Sequence, residues 1–415
     1  MSTKTPEPHE VFTPRAPDIN QRTYVERPAL ERKLINALKG DKYIILHGES
    51  GNGKTWLYKK VLKQLSLRHE IINLANLHMG KSLSAVLSNK LGDLGSETVA
   101  SSKTEADAGI RPWGVGGGVK KITEYMAPAA SPFARLVQEM NITARGKRSV
   151  LVLDNFEQII ENDDYVREVA SLIISADEEV IAKSGVKVLI VGTPSNIKQM
   201  ISKVSNATTI SNRLVEIPEV ARLEVPEALL IMSQGFEVHL KFTSLISKVE
   251  MYRDICWKTD RIAQHIQELC LAIALGAKAN KGVLTHEVVQ AAEREWVGES
   301  LSSDSAIIEA VMSPQDSKIG RKNQVLYCLG HYSREDFRVP DIEKAVREKF
   351  EVRPEVALNV APIFSTFAKA ENPIIRRTPA RGVYRFASPK LKMVIRAGLK
   401  LNDEQRVIKT WPHAQ

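Results

Sequence analysis

The chain has 415 residues, 26% of them charged and 43% hydrophobic, which is typical of a globular protein with two or three domains. No apolar run reaches membrane-spanning length, and the start lacks the apolar core of a signal peptide. Three widely spaced cysteines, an odd number without a secretion signal, favour reduced thiols. We therefore expect a cytoplasmic protein with reduced thiols and no membrane partner.

The positive charge is concentrated near the C-terminus. The net charge is +9, and residues 318–402 alone contain 18 Lys or Arg against 8 Asp or Glu. A basic segment on a nearly neutral body favours a polyanionic partner, which is DNA, RNA or an acidic protein. The alternative is a solvated surface that contributes only solubility.

The first part of the chain is predicted to contain a strand, a loop and a helix in close succession. Residues 1–22 are rich in Pro and polar residues and are predicted to form a flexible N-terminal arm. A helix is predicted over Pro28–Leu38, a strand over Tyr43–Leu46, a helix over Thr55–Leu65 and a short strand over Glu70–Leu74.

The loop between the predicted strand and helix reads G-x-x-x-x-G-K-T from Gly48 to Thr55. Its glycines allow backbone N–H groups to turn towards phosphate oxygens, and the helix that follows adds its positive dipole end. In this pattern Lys54 reaches the β- and γ-phosphates, and the Thr55 hydroxyl is a ligand of Mg²⁺. We expect ATP and Mg²⁺ as cofactors. The predicted nucleotide-binding residues of this segment are Gly48, Glu49, Ser50, Gly51, Asn52, Gly53, Lys54, Thr55 and Trp56.

An insertion is predicted over about 92–122, where periodicity weakens and glycines accumulate. One interpretation is a loose surface insertion. The other is a mobile loop that presents Trp113, flanked by Arg111, Lys120 and Lys121, to a neighbouring subunit or to nucleic acid.

Strands and helices alternate in the segment that follows the insertion. Buried strands are predicted over Arg148–Asp154 and Gly185–Gly192, and a shorter one over Leu214–Ile217. The intervening helices are predicted over 132–140, 165–183 and 197–204. This alternation predicts a doubly wound α/β domain over residues 23–222.

Acidic residues at the end of the first of these strands are candidates for metal binding and catalysis. Asp154 follows Leu-Val-Leu and is predicted to hold Mg²⁺ opposite Thr55. The next residue, Asn155, cannot accept a proton. Glu157 can orient the attacking water if its loop faces the nucleotide, whereas the alternative is an acid on a solvated helix start.

Two further polar residues follow later elements of the same domain. Thr193 follows the next strand, where its hydroxyl could sense the γ-phosphate, and Asn196 is the alternative candidate for this role. The purely structural interpretation is that Thr193 is a turn residue beside Pro194. Arg213 precedes a short strand and could reach the γ-phosphate bound by a neighbouring subunit. The alternative for Arg213 is an ordinary surface position.

The remainder of the chain is predicted to be largely helical. Residues 223–303 form a helical lid, residues 304–402 a winged-helix domain, and residues 403–415 a C-terminal tail. The winged helix is predicted from helices over 318–329, 340–349 and 354–370, followed by a β-hairpin around 379–382.

The third of these helices is mostly apolar and lacks the Arg and Gln residues that base readout uses. Positive charge lies instead on the hairpin and the last helix, which suits contacts to phosphates or to an acidic protein surface. The predicted nucleic-acid or partner residues are Arg376, Arg377, Arg381, Arg385, Lys390 and Lys392.

Taken together, these motifs resemble the AAA+ P-loop ATPases, in the branch of origin-recognition-type initiators and STAND signalling ATPases. The resemblance rests on Gly48–Thr55 as Walker A and Val150–Glu157 as Walker B. It implies an AAA+ core followed by a helical lid and a winged helix, with assembly into a homo-oligomer. It also implies that Tyr24 and Arg27, in the box before the P-loop, contact nucleotide, as does Arg261 on the lid; Thr193 then matches sensor 1 and Arg213 the arginine finger.

Three positions depart from the pattern of that branch. Glu26 replaces a glycine, Asn155 replaces the second Walker B acid, and Gln264 stands where the lid carries its sensor 2 arginine. Each departure favours hydrolysis that is slow or that depends on a partner.

These observations predict an ATPase whose nucleotide state controls oligomerisation and engagement of DNA or a partner protein. Transposition, genome maintenance and defence against phage are settings that suit such an architecture. The alternative is a STAND-like scaffold that is autoinhibited with ADP and recruits a separate effector protein when activated, without binding DNA.

Overall fold

A computed structural model of the chain describes residues 5–79, 81–94, 131–176, 178–204, 207–314 and 320–411. These residues form two compact units. We call the first the α/β unit, Arg27–Ser50 with Lys54–Ala221, and the second the helical unit, Met1–Glu26 with Gly51–Gly53 and Arg222–Gln415. Most of the predicted insertion, including Trp113 and its basic neighbours, lies outside the described residues.

The elements up to residue 216 alternate between helix and strand. They are α1 (Pro8–Val11), α2 (Pro28–Lys39), β1 (Tyr43–His47), α3 (Lys54–Gln64), β2 (Arg68–Asn73), a 3₁₀ helix (Leu74–Met79), α4 (Leu83–Asp93), α5 (Pro132–Thr143), β3 (Ser149–Asp154), a 3₁₀ turn (Phe156–Gln158), α6 (Asp163–Ser175), α7 (Glu179–Ala182), β4 (Val186–Gly192), α8 (Ile197–Lys203), α9 (Ala207–Arg213) and β5 (Leu214–Glu216).

The elements after residue 222 are mainly helices. They are α10 (Val225–Ser233), a π-helical segment (Gln234–His239), β6 (Thr243–Ser244), α11 (Lys248–Lys258), α12 (Ala263–Ala279), β7 (Val283–Leu284), α13 (His286–Glu299), α14 (Ser302–Val311), α15 (Arg321–His331), α16 (Val339–Lys349), α17 (Val360–Lys369), β8 (Ile375–Arg377), β9 (Tyr384–Phe386), α18 (Pro389–Gly398), β10 (Leu399–Leu401) and β11 (Val407–Lys409).

In the described part of the α/β unit, five parallel strands form one sheet in the order β2-β3-β4-β1-β5. Alternate residues of each strand point to opposite faces, and both faces are packed. One face is packed through residues such as Ile45, Leu153 and Ile190, and the other through residues such as Leu46 and Val152. The predicted α/β fold class with a parallel sheet is therefore confirmed.

The register of the strands brings their carboxyl ends to one edge of the sheet. Asn73 of β2 pairs with Asp154 of β3, and His47 of β1 pairs with Gly192 of β4. Because ligands of open parallel sheets bind beyond the carboxyl ends of the strands, this edge is where a site is expected.

The N-terminal segment differs from the predicted flexible arm. Val11 and Phe12 are fully buried in the core of the helical unit, and the Thr13 N–H donates to Oε1 of Gln267 at 2.8 Å. Phe12 sits against Gly235, where a Cβ would come within 2.1 Å of the Phe12 ring. These contacts pack the N-terminal segment into the core of the helical unit.

The C-terminal elements include the predicted three helices and hairpin. Helices α15, α16 and α17 are followed by the antiparallel pair β8–β9. Helix α17 begins at Val360 rather than near residue 354, because Asn359 has a left-handed backbone conformation with φ of 52°. The designation of these elements as a winged helix stays a prediction.

Residues 403–411 do not form a separate tail. Strand β11 pairs with β10, and Trp411 is buried against Gly398, where a Cβ would lie 2.4 Å from the indole ring. The predicted single helix over 165–183 is also wrong, because α6 ends at Ser175 and α7 begins only at Glu179, after Glu178 leaves helical geometry with ψ of 137°. In the part of the chain that the structure describes, every helix is too short or too polar to span a bilayer.

Candidate functional site

The loop after β1 has the backbone conformation that its glycines predict. Gly48 has φ of 150°, and a Cβ there would lie 2.4 Å from the Val220 carbonyl oxygen, so a side chain is excluded. Gly51 and Gly53 have φ of 83° and 90°, a region that residues with side chains rarely adopt. Consecutive N–H groups in such a turn form a concave anion-binding surface, which fits a nucleotide phosphate chain.

Lys54 opens helix α3 directly after this loop. Its Nζ donates to the carbonyl oxygens of Gly48 at 2.7 Å and Glu49 at 3.1 Å. Burial lowers the pKa of Lys54, and the carboxylates of Glu157, Asp154 and Glu49 act in the opposite direction. The predicted phosphate-binding cation and the predicted catalytic acids therefore lie within electrostatic reach of one another.

Asp154 is held through both of its carboxylate oxygens. Oδ1 accepts the Asn155 N–H at 2.9 Å, and Oδ2 accepts the Tyr58 hydroxyl at 3.1 Å. Tyr58 is fully buried on α3, and burial together with the adjacent Asp154 raises the pKa of its hydroxyl, which therefore stays a donor. Its spacing from Thr55 places both residues on one helical face, but no sequence motif marks Tyr58.

The backbone and side chain of Asn155 are engaged in structural contacts. Its backbone is left-handed, with φ of 63°, and its Nδ2 donates to Oδ1 of Asn73 at 2.9 Å. Asn tolerates this conformation better than most residues with side chains. The bridge joins the carboxyl ends of β2 and β3.

Glu157 and Thr193 meet at the end of β4. The Thr193 N–H donates to Oε2 of Glu157 at 3.1 Å, and a Cβ at Gly192 would approach Phe156 Cβ to 2.9 Å. The sequence predicted a role for the Thr193 hydroxyl, whereas the hydrogen bond to Glu157 comes from the Thr193 backbone N–H. Asn196 lies at the N-terminus of α8 without a side-chain capping bond.

The other predicted nucleotide-binding residues lie in several environments. Glu49 and Ser50 are exposed, Asn52 is buried, and Thr55 and Trp56 are half-buried. Arg27 belongs to the α/β unit and donates through Nη1 to the Ala221 carbonyl at 2.9 Å, whereas Tyr24 belongs to the helical unit. Arg213 is the last residue of α9 and is half-buried.

Arg261 lies in a tight turn of the helical unit. Asp260 and Arg261 both have left-handed backbones, with φ of 51° and 59°, and the Arg261 carbonyl accepts the Leu223 N–H at 3.0 Å. Within the same unit, the Gln264 N–H donates to the Gly51 carbonyl at 3.0 Å. The first turn of α12, three residues after Arg261, is thus hydrogen-bonded to Gly51.

Asp260 is also the centre of a charged cluster within the helical unit. Its carboxylate lies 2.5 Å from Nη1 of Arg222, 3.1 Å from Nη1 of Arg396 and 3.7 Å from Nζ of Lys392. Glu335 contacts both Arg222 and Lys392. Two carboxylates thus face three cations, and burial lowers the pKa of both Lys392 and Arg396.

Arg396 extends this cluster to two further elements. Its Nε donates to the Gly330 carbonyl and its Nη1 to the Trp257 carbonyl, both at 2.7 Å, and its guanidinium lies 3.5 Å from the centre of the Trp257 ring. The side chain of Arg396 is only 2% exposed. Helix α18 is thereby fixed to α11 and α15.

The basic residues predicted to meet a polyanion fall into two groups. Arg376 and Arg377 on β8, Arg381 in the turn and Arg385 on β9 are exposed, and Lys390 is half-buried. Arg385 is paired with Asp336 at 2.8 Å. Lys392 is 5% exposed and belongs to the Asp260 cluster, so it does not form part of the exposed basic surface.

Residues 37–201 match the family model described as an AAA domain. They form an AAA domain. It includes the P-loop, Asp154, Glu157 and Thr193, whereas Arg213 lies beyond its end. The AAA domain is that of a nucleotide-binding P-loop ATPase, as the motifs predicted.

Solved structures similar to the chain have low sequence identity to it. Cdc6p from Pyrobaculum aerophilum is 15% identical, with 96% of this chain and 99% of that chain covered and a TM-score of 0.46. A Walker-type ATPase of Pyrococcus abyssi is 13% identical, with 91% and 97% covered and a TM-score of 0.49. The ORC2 protein of Aeropyrum pernix is 14% identical, with 89% and 91% covered and a TM-score of 0.47. No curated protein matches the chain.

Replacing Tyr58 by phenylalanine is expected to weaken the Mg²⁺-dependent part of ATP binding about tenfold or more, because Asp154 loses the donor that orients it. Binding measured in excess chelator should change little. The matched control is Tyr165→Phe, which removes a hydroxyl that donates to the Leu77 carbonyl at 3.0 Å. Equal Mg²⁺ dependence in Tyr58→Phe and the wild type would contradict a positioning role for Tyr58.

Proposed function

We propose that the protein binds ATP with Mg²⁺ at its P-loop, hydrolyses it slowly, and uses its nucleotide state to control self-assembly and engagement of DNA or a partner protein. The observation that carries the proposal is the convergence of Lys54, Asp154 and Glu157 at the carboxyl edge of the sheet. A cation for phosphate, an oriented carboxylate for metal and a second carboxylate for water are the parts that phosphoryl transfer needs.

Each residue of this set has a defined task in the proposal. Lys54 binds the phosphates, and Thr55 with Asp154 holds Mg²⁺, which neutralises charge on the transferred phosphoryl group. Thr193 donates its N–H to Glu157 and so fixes the carboxylate that orients the attacking water. Arg213, from a neighbouring copy, completes the site.

Slow hydrolysis is supported by the contacts of Asn155 and Glu157. Asn155 has no proton-accepting carboxylate, and its amide is engaged with Asn73. One oxygen of Glu157 already accepts a backbone hydrogen bond, which leaves the other to orient water. A site with one carboxylate for the water, where the family pattern has a second acid at position 155, favours a nucleotide switch over rapid turnover.

Engagement of a polyanion is supported by the exposed arginines of the hairpin. Arg376, Arg377 and Arg381 are exposed on β8 and the turn that follows it. Contacts from such residues to phosphates carry no base information and weaken steeply with salt. The mostly buried apolar face of α17 offers little for base readout.

The proposal is tested by mass measurement and turnover together. We expect larger assemblies with a slowly hydrolysed ATP analogue than with ADP, loss of those assemblies in Arg213→Ala, and turnover well below one ATP per second without a partner. Salt-dependent DNA binding should decrease in the variant with Arg376, Arg377 and Arg381 all changed to alanine. Rapid turnover by the isolated protein would contradict the proposal. So would assemblies of the same mass with ADP and with the ATP analogue.

A second candidate is the STAND-like scaffold without DNA binding. It is favoured by the Asp260 cluster, which fixes the C-terminal helix α18 to α11 within one compact unit. In this version the C-terminal elements hold the protein in an inactive, ADP-bound monomer until a trigger releases them. Nucleotide-dependent assembly with no DNA affinity at low salt would favour the scaffold.

A further inference from the structure

A row of aromatic rings crosses the helical unit from α11 to the end of α16. Trp257, His331, Tyr327 and Phe350 follow one another, with ring centres separated by 6.2, 4.0 and 6.1 Å. The rings of His331 and Tyr327 are stacked, with 20° between their planes. Trp257 keeps 37% of its surface exposed, although it is large and apolar.

A cavity of about 650 Å³ lies beside this row, between α15 and α16. Its walls include Tyr327, His331 and Tyr332, and two lysines of α16, Lys344 and Lys349, also line it. The volume lies within the range of pockets that hold small organic ligands, roughly 300–1,000 Å³. The site described above uses none of these residues.

Polar atoms in the cavity have unused hydrogen-bonding capacity. Nδ1 of His331 contacts the Tyr327 carbonyl at 2.9 Å, and because a carbonyl only accepts, Nδ1 carries the proton. Burial lowers the pKa of His331, so the ring is neutral and its Nε2 is an acceptor. Among the described residues, the hydroxyls of Tyr327 and Tyr332 have no hydrogen-bond partner.

Cations at the mouth of the cavity are available to a negatively charged ligand. Lys344 and Lys349 are exposed, as is Arg334 of the same lining. Lys344 lies 3.7 Å from Glu348, but both side chains are more than 60% exposed, at 78% and 67%, so the pair is weak. The carboxylates of Asp341 and Glu348 also line the cavity, so its cations exceed its acids by one.

We infer that this cavity, called the groove below, binds a nucleoside phosphate, with its base packed against Tyr327 and His331 and its phosphate at Lys344 and Lys349. Stacking on aromatic rings accepts any base, and the neighbouring cations bind the backbone. The ligand is either a free mononucleotide or one nucleotide of a single strand. A paired base in a duplex cannot enter, because both of its faces are already stacked.

The test compares three probes on the full chain. They are thymidine 5′-monophosphate, a short fluorescein-labelled oligothymidylate and a duplex of the same length. A monophosphate has no β- or γ-phosphate for Lys54, so it reports on the groove. We expect binding of the strand or of the monophosphate, and binding quenches the fluorescence of Trp257, a change that Trp257→Phe removes.

Two kinds of variant separate the groove from the rest of the protein. The double variant Lys344→Glu with Lys349→Glu, and separately Tyr327→Leu, should each weaken binding about fivefold to 100-fold, the range for losing a stacked base or its phosphate contacts. The matched control is Arg353→Glu with Lys369→Glu, which reverses two exposed charges outside the groove. ATP binding at the P-loop should be the same in all of these variants.

The outcomes distinguish the source of the ligand. If the groove variants weaken binding of the oligothymidylate but not of the monophosphate, the groove holds single-stranded nucleic acid. If they weaken binding of the monophosphate equally, the groove holds a free nucleotide. Binding of neither probe, or binding that the groove variants leave unchanged, would overturn the inference. Groove variants that lose assembly but not probe binding would identify a protein interface instead.

Discussion

Replacing Lys54 by alanine is expected to lower ATP affinity about 100-fold. A hydrogen bond from a charged donor contributes about 1.5–3 kcal/mol, and a lysine at a triphosphate makes more than one. The loss is amplified because Asp154, Glu157 and Glu49 lie within electrostatic reach of Lys54. Without the lysine, these carboxylates repel the phosphates that it would otherwise bind.

Titration with a fluorescent ATP analogue measures this loss. Lys63→Ala is the matched control, because Lys63 is exposed on the last turn of the same helix and its removal changes net charge equally. The control should stay within about twofold of the wild type, since surface charges at this distance are screened. Unchanged ATP affinity in Lys54→Ala would show that the P-loop is not the nucleotide site.

Replacing Asp260 by asparagine is expected to destabilise the helical unit by about 3–5 kcal/mol. The change leaves Arg222, Arg396 and Lys392 with Glu335 as the one remaining carboxylate of the cluster, and Glu335 is itself 49% exposed. Removing one partner of a buried ion pair is costly because the opposite charge stays behind without compensation.

Hydrogen exchange of amides in α15 and α18 measures the effect locally. Arg396 lies on α18 and donates to Gly330 of α15, so amide exchange in both helices should accelerate by roughly two to four orders of magnitude. The control Asp336→Asn breaks the Arg385 pair, whose side chains are 45% and 49% exposed, and should cost less than about 1 kcal/mol. Similar exchange in both variants would mean that the Asp260 cluster does not hold these helices.

The parts of the site that depend on local sequence could be predicted. The glycines at 48, 51 and 53 have the backbone conformations that their motif requires, and Lys54 opens the following helix. The continuous apolar strand ending at Asp154 is the buried β3. In each case, neighbours in sequence determine the structure, so a short motif contains the information.

Contacts between residues distant in sequence could not be predicted. Tyr58 and Asp154 are separated by 96 positions, and neither the helix nor the strand pattern indicates that they meet. Lys392 reads as one more surface lysine of a basic helix, yet Asp260 and Glu335 bury it. Composition describes how many charges a segment has but not which of them a distant carboxylate neutralises.

Phe12 has a consequence for how the chain can be divided. Its ring fills the space over Gly235, although more than 200 residues and the whole AAA domain lie between them in sequence. A fragment excised from residue 222 onwards would therefore expose an apolar cleft to water where that ring belongs. The helical unit combines segments from both ends of the polypeptide, so no single continuous fragment reproduces it.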